Sequence, residues 1–304
     1  MTDIRRTSAP STRYLSYFMP LLSAAIIGAL FTYPVPSHAK PAPASAMRAI
    51  TLTTQTAVSA GDLRASTQRG ARLYLESAKA LRPVRTQTAL EKEIKHVDTA
   101  IVALRGFAPT EAKQKREYQK ALATVEELWA EMKPVLMRPH DAARAQMVYD
   151  TSEQLYIYAS KLTFITEDAL NSEAGYLVDL AGRLQSTSER IAKAAIHSLL
   201  TGRISPMVDY ATWKKEYLDG YRELIGSGLN DDYQRRNLEL GRVMWALYED
   251  IVGAATRGRD DQRILDISKC ADGMWDIARG SRTSYVALMR RGEGVAMLQT
   301  RKAL

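Results

Sequence analysis

At 304 residues, with 46% hydrophobic and 25% charged side chains, the chain can hold two modest domains or one elongated one, and it is too apolar to be disordered. The formal charge of +8 is spread along the chain, without the lysine and arginine patches interleaved with aromatics that nucleic-acid binding requires, so no nucleic-acid partner is expected. A single cysteine, Cys270, excludes a disulfide framework and a multi-thiolate metal centre; its expected role is a small core hydrophobe.

Residues 1–39 read as an export signal. Arg5, Arg6 and Arg13 form a basic start, Tyr17 to Tyr33 is dominated by apolar residues, and Pro34 and Pro36 precede the small-x-small site Ser37-His38-Ala39. Cleavage after Ala39 and a periplasmic location are the expectation, with an uncleaved N-terminal membrane anchor as the alternative. Residues 40–47 read as a flexible leader, and no later apolar run is long enough to span a bilayer.

A helical pattern runs from Met47 to Leu81 and is interrupted at Pro83. Leu90, Ile94, Val97, Ile101 and Leu104 give Ala89 to Leu104 the three-four spacing of an amphipathic helix. A third helix covers Glu111 to Val135, with Pro134 and Pro139 at its end. Asp141 is a reasonable N-cap for a fourth. From Ala142 through Leu199 only Gly175 interrupts the helical pattern, so one long helix is expected there. Trp213 to Leu224, Tyr233 to Ala254 and about Asp260 to Met289 complete the set, with a Gly226-Ser227-Gly228 turn between the first two; no strand precedes that turn, so it is not read as a phosphate loop.

One stretch occurs twice. Ala60-Gly61-Asp62-Leu63-Arg64-Ala65-Ser66-Thr67-Gln68-Arg69-Gly70-Ala71-Arg72 returns 121 positions later as Ala181-Gly182-Arg183-Leu184-Gln185-Ser186-Thr187-Ser188-Glu189-Arg190-Ile191-Ala192-Lys193. Trp129 and Trp245 also correspond, at an offset of 116, and read as core anchors. Internal repetition of this kind implies two copies of one supersecondary unit. The expected fold is all-α: two tandem antiparallel four-helix units, residues 48–170 and 171–290, sharing a long central helix near 142–200, with a C-terminal tail over 291–304.

Small and hydroxylated residues stand in the repeated stretch where a coiled coil would carry large apolar ones, which makes it a candidate site. Arg64 and Gln68, four apart, share a helix face; Arg64 and Arg69, five apart, point about 140° away from each other. An arginine fork suits a flat anion or a carboxylate. His96, His140 and His197 are isolated and lack metal-ligand spacing, and nothing resembles a nucleophile elbow. No catalytic residue, metal or cofactor is expected.

The pattern Ala-Gly-x-x-Arg-x-x-Ser-Gln-Arg-x-x-Lys/Arg, followed by further helices and a tryptophan, resembles the PilJ-type sensory domain, the N-terminal region of type IV pilus chemotaxis transducers. That family is related to the nitrate/nitrite sensor domain of NarX-like kinases, and the resemblance covers about residues 48–290. It implies an all-helical bundle in which the first arginine of the motif binds an anion between two copies of the helix. That arginine is Arg64 in the first copy, but Gln185 stands there in the second; Glu189 likewise replaces the family's glutamine, which the first copy keeps as Gln68. The expected site is therefore a chamber of Arg64, Gln68 and Gln185, with Arg183 pairing with Asp62 across the interface. Gly61, Gly182, Arg69 and Arg190 are expected to shape and anchor the bundle. The resemblance implies a non-enzymatic periplasmic sensory protein for a small anion such as nitrate or nitrite, acting through a membrane-bound receptor or transporter. The alternative is a helical adaptor with no small-molecule ligand.

Overall fold

The computed structural model describes residues 44–170, 172–254 and 261–291. The expected export signal, its cleavage site and residues 292–304 of the expected tail lie outside them. Eight α-helices and one 3-10 turn make up the described residues, which contain no strand. In chain order these are α1 (Ala44–Ser77), α2 (Pro83–Arg105), α3 (Ala112–Leu136), α4 (Ala142–Leu170), α5 (Glu173–Thr201), the 3-10 turn Ser205–Met207, α6 (Tyr210–Ile225), α7 (Asp232–Ala254) and α8 (Asp261–Arg290). No helix among the described residues is long and apolar enough to cross a membrane.

Local chemistry accounts for most boundaries. Pro83 does not interrupt a helix; it opens α2 at the first helical position, where a missing N–H leaves nothing unsatisfied. Asp141 Oδ1 accepts from the Ala143 N–H at 2.9 Å and caps α4. α3 runs past Pro134 to Leu136. α1 begins at Ala44, inside the segment expected to be a flexible leader.

The expected single helix over 142–200 is instead two. α4 ends at Leu170, and α5 starts at Glu173 under a new N-cap, with Ser172 Oγ accepting from the Gly175 N–H at 3.0 Å. A Cβ on residue 175 would stand 2.9 Å from that oxygen, so the glycine is what lets the cap close. α5 then ends conventionally on Gly202, in the left-handed region at φ 70°.

Two apolar cores follow the two repeats. One gathers Leu63, Leu73, Leu90, Val97, Val125, Trp129, Leu155 and Leu162 from α1 to α4. The other gathers Leu177, Ile191, Tyr217, Trp245, Tyr248, Ile267 and Met274 from α5 to α8, and also takes Leu75, Ala145 and Tyr149 from the first repeat. Trp129 and Trp245, each 5% exposed, anchor equivalent places in them, and Cys270 is a buried core thiol.

α1 and α5 pack along each other and carry the two copies of the motif at the centre of the molecule. Cross-helix partners are separated by 115, 117 and 125 residues (Arg64–Asp179, Arg72–Glu189, Gln68–Lys193), close to the repeat offset. Such separations belong to a parallel, in-register pair. The repeat shows in the contacts themselves: an offset of 121 turns Arg72 into Lys193 and Gln68 into Glu189, so the ion pair Arg72–Glu189 and the hydrogen bond Lys193–Gln68 are one contact made twice.

Candidate functional site

A helix covered on all sides is normally apolar, yet α5 buries Asp179, Gln185, Glu189 and Lys193, and α1 buries Arg64, Gln68, Arg72 and Glu76. Burying these groups is tolerable only where they are paired. Arg72 is fully buried; its guanidinium reaches Glu189 at 2.5 Å, Asp272 at 2.8 Å and Glu76 at 3.0 Å. Burial by itself would favour the neutral form, but the three carboxylates hold the guanidinium above even its ordinary pKa. Asp272 on α8 also takes Arg69 at 3.2 Å, Arg82 at 3.2 Å and Arg85 at 3.0 Å, so four arginines converge on one carboxylate. These cations outweigh burial and hold Asp272 below the usual carboxylate range, whereas at Glu189 burial wins and raises the pKa.

A second polar cluster surrounds Lys193. Its ammonium donates to Gln68 Oε1 at 2.8 Å, Ser152 Oγ at 2.6 Å and Glu153 Oε1 at 2.7 Å. Arg190 shares Glu153 at 2.7 Å and lies 4.5 Å from the rings of both Tyr156 and Trp213.

Two cavities among the described residues flank the α1/α5 pair. The first, about 730 Å³, is walled by α1, α4, α5 and α6; the second, about 400 Å³, by α1, α2, α5 and α8. Exchanging the two repeats converts one set of helices into the other, so the cavities are the same place in the repeat built twice. Their chemistry differs. The first holds Glu167, Asp179, Glu216, Asp219 and Glu223 against Arg64 and Arg183. The second holds Arg69, Arg85, Lys92 and Arg279 against Asp62, Glu93 and Asp276, with His96, Gln185 and the Trp275 ring.

The expected chamber of Arg64, Gln68 and Gln185 does not assemble. Arg64, 2% exposed, lines the first cavity but is held by Asp179, at 2.9 Å to Oδ1 and 3.3 Å to the backbone oxygen. Gln68 spends both ends of its amide internally, donating to the Ser152 carbonyl at 2.6 Å and accepting from Lys193. Gln185 lies in the second cavity, 1% exposed, and its Oε1 has no hydrogen-bond partner among the described residues. Nor do Asp62 and Arg183 pair: Asp62 binds Arg282, and Arg183 Nε lies 3.0 Å from Asp179 Oδ2 on its own helix. The cause is the pairing of the repeats: Arg64 and Gln185 are equivalent positions on the parallel helices α1 and α5, so each turns to the cavity of its own side, Arg64 to the first and Gln185 to the second.

Gly61 and Gly182 make room for guanidinium groups. A Cβ at 61 would be 3.3 Å from Arg282 Nη1, and one at 182 would be 3.4 Å from Arg64 Nη2. Composition and spacing do not single out Arg282, Asp179, Asp272 or Glu153. For Asp179 a signal was present, a lone charge between Leu177-Val178 and Leu180-Ala181; Arg282 and Glu153 stand among polar neighbours and carry none.

In the first cavity Glu167 is pushed up to about 7, by burial and then by the nearby Asp179 carboxylate. The folded state thus holds this proton more tightly than the unfolded chain, and the group's contribution falls as pH rises from the ordinary 4.5 to about 7. Glu167→Gln removes that loss. The variant should be more stable than wild type by about 1 kcal/mol near pH 8, a figure reduced for partial solvent exposure, and indistinguishable near pH 4. Urea unfolding at the two pH values measures the difference, and equal gaps at both would refute it.

Compared with protein families, curated proteins and solved structures, the chain matches none of them.

Proposed function

We propose that this protein is a non-catalytic, ligand-binding helical bundle that receives a small anionic group between its two repeats and acts through a partner protein. The observation that carries this reading is the second cavity, with its basic wall of Arg69, Arg85, Lys92 and Arg279. Within that wall Arg69 Nη2 is held by Asp272 at 3.2 Å, while its Nε and Nη1 lie 3.5 Å from Glu93 and 3.9 Å from Glu189, which leaves Arg85, Lys92 and Arg279 as the more open cations of the wall. The resemblance of the repeated stretch to PilJ-type and NarX-like sensory helices supports the same reading. The ligand contact, however, belongs to this basic wall and not to Arg64. An anion at Arg64 would have to displace Asp179 in a cavity whose remaining wall is acidic. Residues 1–39 support action in the periplasm, with a membrane-bound receptor or transporter as the partner.

A thermal-shift series on the full chain with nitrate, nitrite, acetate and succinate tests the proposal. A ligand that binds only the folded state stabilises it by RT ln(1 + [L]/Kd), about 2.7 kcal/mol at a hundredfold excess over Kd. At least one of the four should raise Tm in a concentration-dependent way. The combined Lys92→Ala and Arg279→Ala variant should lose that response, and Arg64→Ala should keep it. A response lost in Arg64→Ala and kept in the double variant would move the site to the first cavity.

The adaptor reading has one observation in its favour. Leu240, Val243 and Leu247 of α7 are about half exposed at 54%, 48% and 52% and fall on one helical face. Absence of any ligand response would favour it.

A further inference from the structure

We propose that α7 is the interface of a homodimer, in which the α7 helices of two copies pack antiparallel about a twofold axis near Val243. The inference goes beyond the anion reading and does not depend on it.

α7 carries two apolar stripes. Leu238, Trp245, Tyr248 and Val252 are buried in the second core. Val243 and Trp245, two apart, point about 160° away from each other. On that far side Tyr233, Leu240, Val243 and Leu247 are about half exposed or more. Arg236, Leu240, Val243, Leu247 and Asp250 follow one another in steps of four, three, four and three, the spacing of a coiled-coil seam.

The bundle itself does not ask for this second stripe. The offset of 116 that relates Trp129 to Trp245 places Thr124, Glu127 and Glu131 of α3 where α7 has Leu240, Val243 and Leu247. The first repeat therefore makes the same outer face from polar side chains, as is usual for the solvent side of a helix. An apolar seam present only in the second repeat marks a surface that something covers.

The ends of the seam say what fits it. Its middle is apolar, one end carries the exposed cation Arg236, and the other the exposed anion Asp250. Val243 stands seven positions, about 10 Å of helix, from each. A second α7 laid antiparallel brings each Arg236 toward Asp250 of the other copy and each Leu240 toward Leu247. A parallel pair would instead set arginine against arginine and aspartate against aspartate. The face is thus complementary to itself only about a twofold axis at its centre, which is the form of an isologous dimer contact. A contact of about four helical turns is smaller than a standard interface, so the dimer should be weak and reversible.

Sedimentation velocity on the full chain, from micromolar to millimolar concentrations, tests this. Wild type should pass from monomer to dimer as concentration rises. Val243→Glu installs the residue that the first repeat carries, at the axis where two like charges would meet. It should weaken association at least about tenfold, with circular dichroism confirming the fold. Arg236→Glu and Asp250→Arg each oppose like charges across the antiparallel pair, and each should weaken association alone. An equimolar mixture of these two variants should dimerise again, because the two acidic positions of one then meet the two basic positions of the other. Should Val243→Glu not fold, the exposed charge variants decide. A wild type that stays monomeric throughout would overturn the inference and leave the face to a partner protein. Association unchanged in a folded Val243→Glu would overturn it as well, and place the contact elsewhere on the chain. Charge variants that associate as tightly as wild type, or a mixture that stays monomeric, would overturn the antiparallel arrangement.

Discussion

Replacing Arg72 with methionine should lower the unfolding free energy by about 3–5 kcal/mol, the loss expected when one partner is removed from a buried ion pair. Arg72 is fully buried and is the common partner of Glu189, Glu76 and Asp272, which come from three different stretches of chain. Methionine fills much of the volume, so the loss is electrostatic and not a cavity effect. Among the described residues it leaves Glu189, itself fully buried, with only Arg69 at 3.9 Å. Glu189→Gln should be much milder. Burial already raises the Glu189 pKa, so the neutral amide sacrifices less, and it can still accept from Arg72. Chemical denaturation followed by circular dichroism measures both, and the Tm of Arg72→Met should fall by roughly 6–20 °C. A loss below about 1 kcal/mol would mean that water replaces the guanidinium and that the centre of the α1/α5 pair is not dry.

Stability should also rise with pH across the alkaline range because of Lys193. Burial lowers its pKa from the ordinary 10.5 to about 8, against the opposing pull of Glu153, which it shares with Arg190. The folded-state pKa lies below the unfolded one, so between about 8 and 10.5 the unfolded chain binds more protons and folding becomes more favourable as pH increases. Below about pH 8 both states carry the proton, and the folded state bears the full penalty of a buried ammonium. Relative to Lys193→Met, wild type should gain roughly 2 kcal/mol between pH 8 and pH 10. Taking the difference between the two proteins cancels the tyrosines, several of which are raised by burial and act in the opposite direction above pH 10. Parallel stability curves for the two proteins would refute the assignment.

Helices were legible in the sequence because their signals are local. The three-four spacing from Leu90 to Leu104, the Asp141 cap and the glycine and proline breaks each act within a few residues. Gly175 was legible too, as the one interruption of the helical pattern from Ala142 through Leu199. The break itself was not, because Ser172 becomes a cap only when the chain bends there, and no Gly or Pro at residues 170–172 announces it.

The repeated stretch was visible as a repeat, and its small and polar residues marked it as more than a packing seam. The function of each charge within it was not visible. Arg64, Arg69 and Arg72 are one residue type within nine positions, yet one closes a cavity on Asp179, one stands over Trp275 beside the other cavity, and one holds the dry centre. Partners 115 to 203 residues away decide among these roles. Gln68 and Gln185 make the same point, since the first is satisfied within the bundle and the second keeps an oxygen with no hydrogen-bond partner among the described residues. Sequence determined the helices and their duplication because hydrogen-bonding pattern and apolar period are properties of neighbouring residues. Tertiary structure alone decided the site, because whether a buried polar group is matched or left open depends on which distant side chain the parallel packing of α1 and α5 brings within about 3 Å of it.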